Sequence, residues 1–215
     1  MEKAYIILFG LTMLYFAATS RIVSHIRLLV LQGILLFLVC FANFSHLEIF
    51  NIAFLTAETL LVKAIIIPAF LFYVLKKTNS NRDAAPNIPH FYCLLISSLI
   101  LLAGFMMSNY CISSFKMVSA THFGISIATI IISLWLITIK HHIISNVIGF
   151  ITMENGIFLL SLSIAKEMPI LVNLGVLLDV FIAIYILGLF VNVINKEFSD
   201  LEVSHLSSLK DYEND

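Results

Sequence analysis

Charge is what this sequence has least of. Asp, Glu, Lys and Arg make up 12% of its 215 residues, against 60% hydrophobic, and its mean hydropathy is +1.04. So few charges cannot cover a soluble core of this size, so the chain reads as an integral membrane protein. Cysteine is nearly as scarce. Cys40, Cys93 and Cys111 lie far apart, with no Cys-x-x-Cys and no His beside them at metal-ligand spacing. That argues against a zinc or iron–sulfur site built by this chain alone. Any associated redox chemistry is expected in another subunit. A formal net charge of -1 gives no electrostatic footprint for nucleic acid.

What is present is a series of apolar runs of membrane-spanning length, about twenty residues each. Seven transmembrane helices are expected, at Ala4–Thr19, Leu28–Phe44, Phe50–Leu75, Pro89–Met107, Val118–Ile139, Ile143–Ile164 and Pro169–Ile194. The fold class is all-α and polytopic, with a transmembrane domain over 1–195 and a polar cytoplasmic tail over 196–215. Lys3, a short apolar run and Ala17-Ala18 imitate a signal peptide. A further helix follows at once, however, which favours a first spanning helix. The clear linker is Lys76–Asn87, KKTNSNRDAAPN. Orientation follows from Lys and Arg. Arg21, Arg27, Lys76, Lys77, Arg82, Lys140, Lys196 and Lys210 fall on one side, and only Lys3, Lys116 and Lys166 on the other. This sets the N-terminus outside and the C-terminus in the cytoplasm of a bacterial or archaeal inner membrane.

A faint internal repeat is visible. LQGILLFL (Leu31–Leu38) parallels ENGIFLLS (Glu154–Ser161), with an amide, Gly and Ile in register and Leu31 opposite Glu154. It implies parallel three-helix repeats separated by one extra helix.

The stretch SNVIGFITMENGIFLL (Ser145–Leu160) carries the most distinctive residue, Glu154, near the middle of an apolar helix beside Asn155 and the helix-loosening Gly156. Lys63 and Asp179 lie at similar depth in other helices. Ionisable groups in hydrocarbon cost a few kcal/mol or more and must face other helices or water. Burial pushes acids and lysines towards protonation states that can change near neutral pH, which suits proton movement. Pro68, five residues beyond Lys63, crowds the carbonyl of Ala64 and is expected to open the helix there. Glu58 lies about 7 Å from Lys63 along the same helix and roughly 140° around it on α-helical geometry. It is open between a partner of Lys63 and a relay member. Glu154, Asp179 and Lys63 can equally form structural interhelical ion pairs. Gln32 and Asn155 read as packing amides, His141 and His142 as headgroup-facing residues, and Trp135 as interfacial.

TMENGIFLL, VNLGVLLDVFIAIYILGLF and KAIIIP resemble the component E subunit of hydrogenase-4, part of the membrane arm of complex I-like group 4 [NiFe] hydrogenases. The tail LEVSHLSSLKD is similar to the end of that family. A more distant likeness runs to the K subunit of respiratory complex I and to the C component of Mrp-type antiporters. In ungapped alignment Ile151 takes the place of the K subunit's first buried Glu, with Glu154 one turn further on and Asp179 standing for the second acid. The resemblance implies a non-catalytic membrane-arm subunit that binds no cofactor itself, with [NiFe] and iron–sulfur centres in partner subunits. Its implied partners are antiporter-like membrane subunits and a peripheral hydrogenase module. The tail residues Leu201, Val203, Leu206 and Leu209 are candidates for docking. The alternatives are a component of a cation/proton antiporter complex and a structural scaffold subunit.

Overall fold

Hydrocarbon offers a peptide group no hydrogen-bond partner, so a chain this apolar must satisfy its backbone internally. The computed structural model describes residues 2–42, 58–78, 89–114, 120–140 and 143–164, and all of these are helical or join helices directly. The α-helices are α1 (Glu2–Ala18), α2 (Ile22–Ala42), α3 (Ile67–Thr78), α4 (His90–Ser114), α5 (Ala120–Ile139) and α6 (Ile143–Ile164). A π-helical segment, Glu58–Ile66, runs directly into α3. Among the described residues, α2, α4, α5 and α6 each contain a stretch long and apolar enough to cross a membrane, and α1 is a shorter apolar helix. The seventh expected span, Pro169–Ile194, and the tail lie outside the described residues.

The helix limits differ from the expected ones in an instructive way. The second helix starts at Ile22, not Leu28, and so takes in His25 and Arg27. Arg27 is exposed while His25 is fully buried. A long cation at a helix end can keep its charge in water without breaking the helix. The third expected helix, where described, is wound in two ways, π before Pro68 and α through it.

The core forms where four helices meet. Ile6 and Phe9 of α1, Leu35, Leu36, Val39 and Cys40 of α2, Ile125 of α5, and Phe158 and Leu159 of α6 pack into one buried cluster. The stripe Phe91, Leu95, Leu99, Leu102 and Met106 on α4 is exposed, as a lipid-facing surface requires. The opposite face of α4 carries small residues. Cys93, Ser97 and Ser108 are buried, and a Cβ built on Gly104 would come 2.6 Å from the carbonyl oxygen of Gly124 on α5. Close backbone approach at small residues is a principal source of helix association in lipid. The hydroxyl of Ser108 donates to the Ala120 carbonyl across this crossing.

Short joints fix the ends. Asn146, with its amide oriented to donate, reaches the carbonyls of Ile137 at 3.2 Å and Lys140 at 3.0 Å, closing the α5 C-terminus against α6. Thr19 and Ser20 join α1 to α2, and the amide of Ser24 donates to the Arg21 carbonyl at 3.0 Å. The ends of α1 and α5 and the start of α4 therefore share one end of the bundle, around a small cavity lined by Thr19, Ser20, His90 and Lys140.

Candidate functional site

Two of the charges expected within the membrane meet. Lys63 on the π-helical segment places Nζ 3.5 Å from Oε1 of Glu154 on α6, with the two side chains 2% and 3% exposed. The same ammonium lies 4.6 Å from the ring centroid of Phe158, one turn along α6 from Glu154. An ammonium over an aromatic face is attracted by the ring quadrupole, the more so when desolvated. Lys63 is therefore held between a carboxylate and a π-face. The separation of 3.5 Å is longer than the ~2.7–2.9 Å of a tight charge-assisted hydrogen bond. Modest movement of either helix can tighten or break it.

Glycine at two positions lets this pair form. A Cβ on Gly33 of α2 would sit 2.9 Å from the backbone nitrogen of Ala64 and 3.0 Å from its Cα, so the π-helical segment presses directly on α2 beside Lys63. Gly156, expected as a helix break, lies within an uninterrupted α6. Its missing side chain admits α5, because a Cβ there would come 3.0 Å from Cγ1 of Ile130 and 3.1 Å from Cγ2 of Thr129. Gly33→Ala is expected to destabilise the chain by about 1–3 kcal/mol through overpacking and to loosen the Lys63–Glu154 contact. Gly10→Ala is the control, since its Cβ would meet Ile125 at an ordinary 3.4 Å. Denaturant unfolding of the full chain in detergent checks the difference; equal stability of the two variants would count against a Gly33 contact that tight.

Beside the ion pair runs a buried polar ladder across three helices. Nδ2 of Asn155 donates to Oε1 of Gln32 at 3.2 Å. Gln32 Nε2 donates to Oγ1 of Thr12 at 2.8 Å and lies 3.3 Å from Sδ of Met13. Thr12 in turn donates to the Phe9 carbonyl at 2.6 Å. The amides aligned in the internal repeat thus bond to each other, joining α2 to α6. Oδ1 of Asn155 is a buried acceptor with no hydrogen-bond partner among the described residues. It lies one residue from Glu154, and such an orphan acceptor in a low dielectric is a ready place for a proton donor.

The remaining sequence candidates are placed as follows. Glu58 begins the π-helical segment, and its side chain is outside the described set. The i→i+5 winding brings positions 58 and 63 closer to one face than the roughly 140° of an α-helix. Pro68 is buried just after the change of winding and offers no N–H to the turn before it. Asp179, His141 and His142 lie outside the described residues. Sequence reasoning missed Thr12, Met13 and Phe158, and above all His25, completely buried at the start of α2. The available signal was spacing: His25 stands seven residues before Gln32 and so on the same helical face.

Comparison with known proteins gives distant relatives. The chain is 25% identical over 153 residues to an uncharacterized protein of Mycobacterium tuberculosis, covering 71% of this chain and 70% of that protein. It is 25% identical over 160 residues to hydrogenase-4 component E of Escherichia coli K12, covering 72% of each. The same figures hold for hydrogenase-4 component E of Shigella flexneri. No protein-family model matches the chain, and no solved structure does.

Proposed function

We propose that this chain is a non-catalytic membrane subunit of a hydrogenase-4-like complex, and that Lys63 and Glu154 help couple redox chemistry elsewhere to proton movement. The observation that carries the reading is the Lys63–Glu154 contact at 3.5 Å, buried between the π-helical segment and α6. Charges in such a place are costly unless paired, and they mark ion or proton pathways in other membrane proteins. The distant similarity to hydrogenase-4 component E over 72% of the chain supports the choice of complex.

The chemistry available to the pair is simple. A proton passing from the Lys63 ammonium to the Glu154 carboxylate converts an ion pair into a neutral pair without changing the total charge. A proton arriving at Glu154 from elsewhere weakens the hold of Glu154 on the ammonium, which keeps its place over the Phe158 face, and adds one positive charge to the site. The site therefore has charge states that differ in how firmly the π-helical segment is tied to α6. Asp179 is proposed as a further acid on the same path, and Glu58 as a second candidate near Lys63. The [NiFe] and iron–sulfur centres belong, in this reading, to partner subunits. The chain itself resides in the cytoplasmic membrane with its C-terminus inside.

Affinity purification of the tagged full chain from native membranes tests the assignment. Hydrogenase and quinone-oxidoreductase-type partners are the expected result. Recovery of antiporter subunits alone transfers the chain to a cation/proton antiporter complex and overturns the hydrogenase assignment.

A further inference from the structure

A second cluster of titratable groups lies at the end of the bundle where α1 gives way to α2. His25 is completely buried. Its Nε2 lies 3.0 Å from the Thr19 carbonyl, and its ring stacks at a tilt on Phe16, centroid to centroid 4.3 Å. Lys140, just past the end of α5, brings Nζ within 3.4 Å of Nδ1 and 3.2 Å of Nε2, and 4.8 Å from the Phe16 ring centroid. A carbonyl only accepts, so in the tautomer that satisfies Thr19 the proton sits on Nε2, and Nζ then lies against the ring edge between the two nitrogens. The remaining Nδ1 lone pair is then the one acceptor the ring can offer the ammonium. In that tautomer the contact is one between a neutral imidazole and a lysine cation.

We propose that His25 is a proton-loading residue for this end of the bundle, and that Lys140 positions and guards it. This rests on the reading of Lys63 and Glu154 given above. In the loading step a proton from the aqueous phase adds to the Nδ1 lone pair. One N–H bond forms, the ring becomes an imidazolium, and no electrons are exchanged. Two adjacent cations repel, so Lys140 withdraws into the cavity it lines with Thr19, Ser20, His90 and Cys93, which is water-sized. Release reverses the step: the Nδ1–H bond breaks, the pair stays on nitrogen, and the ammonium returns.

The surroundings favour His25 as the responsive group. Arg21 and Arg27, the other charges at this end of α2, are exposed. Tyr15 of α1 is 54% exposed, and α6 has Glu154 as its only titratable residue. His90 and Cys93 of α4 share the cavity with Lys140. His25 also connects to the interior. It lies about 10 Å, two turns, from Gln32 on the same face of α2, and Gln32 accepts from the neighbour of Glu154.

The test uses the assembled complex in liposomes, with proton transfer measured from about pH 5 to 9, the range a histidine spans. Wild type is expected to show a titration step, His25→Gln to lose it, and Lys140→Gln to keep it with a displaced midpoint. Glu154→Gln lowers transfer by about 10²-fold at every pH. Loss in Glu154→Gln with a wild-type profile in His25→Gln overturns the role of His25 alone, whereas normal transfer in Glu154→Gln overturns the function on which it rests. Nitrogen NMR of the full chain in lipid nanodiscs needs no partner subunits. The His25 ring is expected as the Nε2–H tautomer at high pH and doubly protonated at low pH, with the midpoint moved by Lys140→Gln. A ring in one protonation state throughout, or an unmoved midpoint, refutes the pairing.

Discussion

Glu154→Gln in the assembled complex is expected to lower proton translocation by about 10²-fold, the lower range for removing a positioned proton-transfer group, while the complex still assembles. The two outcomes separate because Gln keeps the shape of the side chain and one acceptor oxygen. Lys63 Nζ, 3.5 Å from Oε1, retains a dipole to face and its place over Phe158. The cost to folding is then about 1–3 kcal/mol, as for weakening one buried polar contact. What Gln cannot do is hold or release a proton. A scaffold built on an ion pair predicts the same loss of stability but intact coupling. Hydrogen evolution and proton uptake, measured together in vesicles, decide between them. Unchanged translocation with normal hydrogen evolution ends the relay assignment for Glu154.

How much of this was legible in the sequence depends on which interaction sets each feature. The presence of the described helices was, because an apolar run of spanning length has few alternatives in lipid. The start of α2 was not, since His25 and Arg27 read as loop residues while tertiary packing buries one and solvates the other. That Lys63 and Glu154 sit within apolar runs was visible in the sequence, and both are buried. Their meeting was not, because sequence depth gives no azimuth. The family resemblance paired Glu154 with Asp179, which lies outside the described residues, while the described geometry sets Lys63 against it. Pro68 signalled a disturbed helix, but not that the winding would be π from Glu58 to Ile66. An all-apolar run has no polar periodicity from which about 3.6 residues per turn can be told from a wider winding.

The repeat offers a similar lesson. Its aligned amides, Gln32 and Asn155, face each other across α2 and α6. Its aligned glycines admit different neighbours, Gly33 the π-helical segment and Gly156 α5. Leu31, the counterpart of Glu154, is 40% exposed. One copy therefore keeps an apolar residue towards the periphery where the other buries a carboxylate against a lysine. The asymmetry puts a carboxylate on α6 and none at the matching place on α2, while the lysine it faces comes from the π-helical segment.

Lys63→Met supplies the second large effect, and its value lies in what happens when it is combined. Alone, it leaves the buried Glu154 carboxylate without the Lys63 ammonium, and such a break costs about 3–5 kcal/mol. Lys63→Met with Glu154→Leu removes both charges and is expected to recover most of that loss, because apolar side chains of similar volume in place of a buried ion pair are often neutral or stabilising. Proton translocation is expected to stay low in both variants. The cycle reads two different properties of the same contact: unfolding in detergent reports the pair as a structural element, and coupling in vesicles reports it as a carrier of charge. If the double variant regains translocation along with stability, Lys63 and Glu154 serve packing and the relay proposal for the pair fails. If it regains only stability, the charges persist at this depth for transport, since apolar residues would hold the helices together as well.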